Sequence, residues 1–266
     1  MAGAAPVSSG AMTVLIRAEG AVRVVELRLP KGNALGEASV PRIQQAFDEL
    51  ASAGHPPAVL TGTGTVFCVG LDLVGLYDLP RERLLPFVRA FEDLFLRAFT
   101  YPGPLAAAVN GHAIAGGGIL ALACDRRALA AEATFGLTEA PLGIVFPPAA
   151  FEISRSAAPP AIHGPLLLQG LRFSASDALA HGLVHELAPD GPRSVERAIA
   201  WANAAAQVPA SSWQPLKAEL RAATVERIEQ GRAQREDRWV ESWYSPEARA
   251  AIGCMRDQLL ARQAAR

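Results

Sequence analysis

The stretch Asn110-Gly-His-Ala-Ile-Ala-Gly-Gly-Gly-Ile-Leu-Ala-Leu-Ala-Cys-Asp125 decides how this chain is read. Three consecutive glycines stand ahead of a run of good helix formers. The first turn of a helix carries N–H groups without intrahelical partners, and the helix dipole adds partial positive charge there. Glycine lets another atom come close to that backbone. Two readings follow: an anion site, or a helix start packed tightly against a neighbour. No basic residue follows the glycines, so an oxyanion developing during a reaction fits better than a bulky phosphate.

A second candidate donor lies upstream, at Val69-Gly-Leu-Asp72, again after a short β-rich run. Two backbone N–H groups from separate loops are the usual construction of an oxyanion hole. A base is then needed. Glu139 lies in Phe135-Gly-Leu-Thr-Glu-Ala-Pro-Leu-Gly143, among apolar and turn residues. Buried there, its pKa rises by desolvation, which suits a proton shuttle. In isolation, a lone Glu in a turn reads first as a surface residue or a cap.

Other motifs fail. Gly62-x-Gly64 lacks the third glycine of a dinucleotide fingerprint, because Phe67 occupies that place. No Gly-Lys-Ser/Thr follows the glycines, and no G-x-S-x-G elbow is present. His181 and His185 read as a helix-end surface pair, not as metal ligands. His112 reads as a turn histidine packed beside the site.

The chain has 266 residues, half of them apolar, and a formal net charge of −1. No basic block points to nucleic acid. No apolar run reaches transmembrane length, and residues 1–11 read as a flexible leader without signal-peptide character. Three cysteines (Cys68, Cys124, Cys254) show no metal-ligand spacing, and an odd count argues against a disulfide framework. A reducing cytoplasm is the default location. Lysine occurs only at 31 and 217, which draws notice to Lys31 beside a Gly-Asn turn.

The patterning predicts a hairpin (Val14 to Arg17, Val22 to Leu29), a turn at Pro30 to Asn33, and a helix from Glu37 to Ala53. Short strands at 58–60 and 66–69 follow, then a mobile loop over 72–80 and a helix over 81–99. A strand at 105–109 leads into the glycine run and its helix. Beyond it lie a strand at 127–131, a turn-rich segment over 135–148, an N-cap at Ser174 opening a short helix, and a strand at 183–187. From about Ser194 the chain reads as helix, interrupted near Pro209 and Pro246. The expected class is α/β, with a core over 12–200 and a helical region over 201–266.

Taken together, the motifs resemble the crotonase (enoyl-CoA hydratase/isomerase) superfamily. They occur in order as Leu29-Pro-Lys-Gly-Asn-Ala-Leu35, Phe67-Cys-Val-Gly-Leu-Asp72, Ala108-Val-Asn-Gly111 with the glycine run and Cys124-Asp125, Phe135-Gly to Leu142-Gly143, and Gly170 with Ser174-Ala-x-Asp-Ala178 and Gly182-Leu-Val184. The likeness covers roughly residues 12–190. It implies a spiral of ββα units, with the C-terminal helical region used to build a homotrimer or a dimer of trimers. It implies an acyl-CoA substrate and no metal or redox cofactor. The N–H groups of Leu71 and Gly116 would hold the thioester oxygen, and Lys31 and the backbone near Val69 the CoA moiety.

The resemblance also narrows the reaction. Hydratases of this family use two glutamates to hold and split water. The second matches Glu139; the first falls on Ile119, which can neither bind nor deprotonate water. The Pro-Gly-x-Gly-Gly loop usual in hydratases is replaced by Phe146-Pro-Pro-Ala-Ala150, and Pro147 has no N–H to offer. Ile119, Phe146 and Pro147 are therefore expected as apolar pocket residues. The pattern resembles the single-glutamate Δ3,Δ2-enoyl-CoA isomerases. A hydratase with relocated water chemistry, a non-catalytic acyl-CoA binding protein and a thioesterase are the alternatives. Leu76, Leu84, Phe87 and Phe91 are candidates for an acyl tunnel or for helix core.

Overall fold

The computed structural model describes residues 12–264; the expected leader over 1–11 lies outside them. The hairpin forms as read. Strand β1 (Thr13–Glu19) pairs antiparallel with β2 (Val22–Arg28). The turn expected at Pro30–Asn33, labelled α1, passes through left-handed backbone at Lys31, Gly32 and Asn33 (φ 54°, 74° and 58°) and leads to α2 (Ser39–Ser52), which buries Ile43, Phe47 and Leu50 on one face. Strand–strand–helix units then repeat. The first is β3 (Ala58–Thr61), β4 (Val66–Cys68), the short turn α3 (Leu73–Leu76) and α4 (Arg81–Phe99). The second is β5 (Leu105–Val109), β6 (His112–Ile114) and α5 (Gly116–Ala123). The third is β7 (Arg126–Ala130), β8 (Thr134–Gly136) and α6 (Pro148–Ala157).

Each unit sends its first strand to one sheet and its second to another. The larger sheet runs β1-β2-β3-β5-β7-β10 and the smaller β4-β6-β8-β9, where β9 is Arg172–Ser174 and β10 Glu186–Ala188. Strands β3, β5 and β7 are parallel neighbours in the first; β4, β6 and β8 are parallel neighbours in the second. The chain thus advances one strand per turn in both sheets, which is the spiral expected.

Alternation along β5 divides the interior. Leu105, Ala107 and Val109 join the main core, whereas Ala106 and Ala108 face a second cluster with Val22, Val24, Val59, Ala198 and Ala202. The small Ala side chains let α8 (Gly191–Ala205) lie close against this sheet. The expected boundary at residue 200 therefore falls inside a helix that packs on the core. Between these elements, α7 (Ala175–Ala180) is N-capped by Ser174, whose Oγ accepts the Asp177 N–H at 3.2 Å. The last two helices are α9 (Ala210–Trp243) and α10 (Pro246–Ala264).

Several elements were not read from sequence. β6, β8 and β9 have three residues each, too few to show a period. Helix α6 starts at a proline pair, where only the first turn tolerates the missing N–H. The segment read as a loop over 72–80 contains α3, whose first turn is capped by Asp72 accepting the Gly75 N–H at 3.0 Å. The expected strand over 183–187 is shorter and later, as β10.

Candidate active site

Three adjacent parallel strands of the small sheet place the chemistry. Leu71 follows the end of β4, Gly116 the end of β6, and Glu139 the end of β8. Groups far apart in sequence meet because their strands are neighbours, and the C-terminal ends of parallel strands are where such sheets bind ligands.

The two backbone donors are brought together by glycine. Gly70 has φ +84°, and a Cβ there would lie 2.8 Å from the Gly116 nitrogen and 2.7 Å from the Ala115 Cβ. Gly117 abuts the Cys68 carbonyl so closely that a side chain would collide with it. Gly117 therefore fits the packing reading, while the donor reading falls on Gly116. The parallel bridge between Leu35 and Leu71 uses the Gly70 carbonyl (2.7 Å from Leu35 N) and the Asp72 N–H (2.9 Å from Leu35 O). The Leu71 N–H is left over, and so is that of Gly116: neither donates to any described residue. Ala115 holds φ 52°, ψ −127°, a backbone state L-residues seldom adopt, immediately before Gly116. Strain of this kind, worth about 1–3 kcal/mol, collects at functional sites. The sequence shows no sign of it, because the residue is alanine.

Leu71 and Ala115 line a cavity of about 650 Å³ with Glu139. Glu139 is 8 % exposed, and its Oε2 is buried with no hydrogen-bond partner. Burial pushes its pKa up to about 8, despite a hydrogen bond from its own backbone N–H that favours the ionised form. Among the described residues lining the cavity it is the one carboxylate. The same cavity is lined by apolar Leu142 and Ile144 from the segment of Glu139, Leu73 from α3, and Met255 and Leu259 from α10, and by the cations Lys31, Arg172 and Arg262.

Lys31 and Val69 line the same cavity and also a contiguous groove of about 450 Å³. Lys31 Nζ lies 2.9 and 2.8 Å from the two carboxylate oxygens of Asp72, an ion pair that was not anticipated. His112 lines the cavity, and its Nδ1 lies 3.1 Å from the Thr134 N–H and 3.0 Å from the Thr134 Oγ1. This agrees with a packed histidine beside the site.

Three expected pocket residues are placed elsewhere. Ile119 is 1 % exposed within the core cluster, Phe146 packs against that cluster, and Pro147 caps α6; none forms part of the cavity wall. Ile119 stands on the buried side of α5, an eight-residue helix enclosed all round. The first free N–H of α6, from Ala149, is taken by Glu92 Oε1 at 2.6 Å. Leu76, Leu84, Phe87 and Phe91 are core residues, with Phe91 backing Gly116. His181, at the end of α7, and His185 are both exposed, as a surface pair would be; His185 Nδ1 accepts the Arg127 N–H at 3.1 Å, and partial burial together with Arg127 and Arg126 lowers its pKa to about 4. Among the described residues no group of three or more His, Cys, Asp or Glu is placed to hold a metal ion, and no helix is long and apolar enough to cross a membrane.

Comparison with solved structures identifies the architecture as the crotonase fold. Human mitochondrial Δ3,Δ2-enoyl-CoA isomerase superposes with a TM-score of 0.83 at 24 % identity, over 94 % of this chain and 98 % of that one. A Mycobacterium tuberculosis protein at 28 % identity has been described both as an enoyl-CoA isomerase and as a probable enoyl-CoA hydratase. Its two structures superpose with TM-scores of 0.77 and 0.79, over 83 % and 87 % of this chain and 96 % and 98 % of theirs. The sequence profile of enoyl-CoA hydratase/isomerase matches residues 17–251, so the chain belongs to that family of acyl-CoA enzymes. A putative enoyl-CoA hydratase of Thermus thermophilus is 39 % identical over 71 % of this chain and 76 % of its own length. The mouse mitochondrial enoyl-CoA delta isomerase 1 is 31 % identical over 66 % of this chain and 63 % of its own.

Proposed function

We propose that this protein is a Δ3,Δ2-enoyl-CoA isomerase in which Glu139 moves one proton. The observation that carries this reading is the lone carboxylate: buried, unpartnered at Oε2, and in one cavity wall with Leu71 and Ala115. The thioester oxygen accepts the N–H groups of Leu71 and Gly116. Ionised Glu139 takes a proton from C2 of a 3-enoyl-CoA. The electron pair moves into the thioester, giving an enolate stabilised by about 3–4 kcal/mol per donor, by analogy with other oxyanion holes. The neutral carboxyl then delivers the proton to C4, and the double bond closes between C2 and C3. Glu139 is ionised again, and atoms and charge balance.

Hydration needs a second group to hold and activate water. Two features support its absence: Ile119 is sealed in the core, and the Ala149 N–H is already used by Glu92. Lys31 and Val69, at the junction with the neighbouring groove, are the proposed contacts to CoA.

The test is formation of conjugated 2-enoyl-CoA from a 3-enoyl-CoA by purified protein. Glu139→Gln is expected to lower turnover by about 10³-fold or more, within the range of general acid–base catalysis. Absence of turnover in the wild type, or comparable turnover in the variant, contradicts the reading. Efficient hydration of crotonyl-CoA would favour the hydratase instead.

A further inference from the structure

Helix α10 turns two faces to the protein. Met255, Gln258, Leu259 and Arg262 all line the cavity. Their spacing is i, i+3, i+4, i+7, one continuous stripe of a helix. Arg249, Gly253 and Arg256, spaced i, i+4, i+7, face Tyr77 in the segment after the oxyanion donor Leu71. Arg249 Cζ lies 3.4 Å and Arg256 Cζ 4.1 Å from the centre of the Tyr77 ring. Tyr77 Oη donates to the Arg249 carbonyl at 3.2 Å, and Arg249 Nη1 donates back to the Tyr77 carbonyl at 2.5 Å. A side chain at Gly253 would start 2.9 Å from Tyr77 Oη, so glycine there lets the ring lie close against the helix. On the other side, Ala248 packs on Gly143, just beyond Glu139. One helix thus joins the oxyanion side of the site to the base side.

The stripe also has a direction. Leu259 and Arg262 line both the cavity and the contiguous groove past Lys31 and Asp72; Met255 lines only the cavity, with Glu139, Leu142 and Ile144. Met255 lies about 6 Å along the helix from Leu259, at 1.5 Å per residue. With Lys31 and Val69 as the proposed CoA contacts, the shared groove is the CoA side, which leaves Met255, Leu142 and Ile144 to the acyl side.

Helix α10 roofs this cavity; we propose that within this roof Met255 sets the length of unbranched apolar acyl chain the site accepts, with Tyr77 as the latch that positions it. This rests on the isomerase reading for its substrate. Methionine suits the place, since its flexible thioether adapts to an apolar chain.

The test compares 3-hexenoyl-CoA with 3-decenoyl-CoA. Met255→Trp should lower the decenoyl-to-hexenoyl ratio of kcat/KM by tenfold or more, and Met255→Ala should raise it. A ratio within twofold of wild type in both variants overturns the proposal. Tyr77→Ala should raise KM for both substrates by fivefold or more with a smaller change in kcat; unchanged KM overturns the latch. If the wild type turns over neither substrate, the isomerase reading fails, and the roof is judged by affinities for hexanoyl-CoA and decanoyl-CoA. Met255→Trp should then shift that affinity ratio against decanoyl-CoA; an unshifted ratio, or no binding of either, overturns the roof.

Discussion

Asp125, Glu152 and Glu139 are all carboxylates withdrawn from water, and their surroundings treat them differently. Asp125 takes Lys217 Nζ at 2.6 Å, Arg221 Nη2 at 2.5 Å and the Leu105 N–H at 2.8 Å. Glu152 is raised by burial, but hydrogen bonds from Arg155, Arg227 and Arg235 outweigh it and hold its pKa below the ordinary range. Both tie a C-terminal helix to the core, since Lys217, Arg221, Arg227 and Arg235 all belong to α9. Glu139 forms no ion pair with any described residue, and burial raises its pKa to about 8. A buried charge is tolerable when paired and shifts its pKa when it is not. The contrast separates carboxylates that hold the fold from one free to exchange a proton.

Substitutions can break or sharpen this contrast. The largest effect is the loss of turnover in Glu139→Gln, about 4 kcal/mol or more for 10³-fold. Next is Asp125→Asn, which strands two cations and should cost about 3–5 kcal/mol of stability, read by urea unfolding. Gly70→Ala should follow. Its Cβ forces Leu71 and Gly116 apart, and loss of one oxyanion donor lowers kcat by about 10²-fold.

Taken one pH unit at a time, the smallest effect is a stability slope. The folded pKa of Glu139, about 8, lies above its ordinary value of 4.5. Its contribution is therefore complete below about pH 4.5 and is lost as pH rises towards 8. Thermal scans should show wild type losing ground to Glu139→Gln across that window, by on the order of 1 kcal/mol per pH unit. A constant difference between the two proteins would mean Glu139 is already ionised in the folded state.

Much of the site was legible because its parts are backbone features with a sequence signature. The glycines at 70 and 116–118 mark close approach, and Glu139 stands out in an apolar turn. What could not be read is whatever depends on neighbours. Ile119 looks like a pocket residue only until α5 is seen enclosed on every side. Of the four three-residue strands in the small sheet only β4 was read, so the alignment of Leu71, Gly116 and Glu139 at its strand ends was not visible. The role of α10 was hidden too, because its cavity stripe mixes Met, Gln, Leu and Arg and gives no hydrophobic pattern.

The central claim is that one uncompensated buried carboxylate performs the proton transfer. It is tested most directly by kcat/KM for a 3-enoyl-CoA as a function of pH, in wild type and Glu139→Gln. The base must be ionised to act, so the wild-type value should climb about tenfold per unit at low pH and level off near pH 8. The variant should be flat and about 10³-fold lower. A wild-type profile without a rise between pH 6 and 8, or a variant that keeps the rise, would contradict the account.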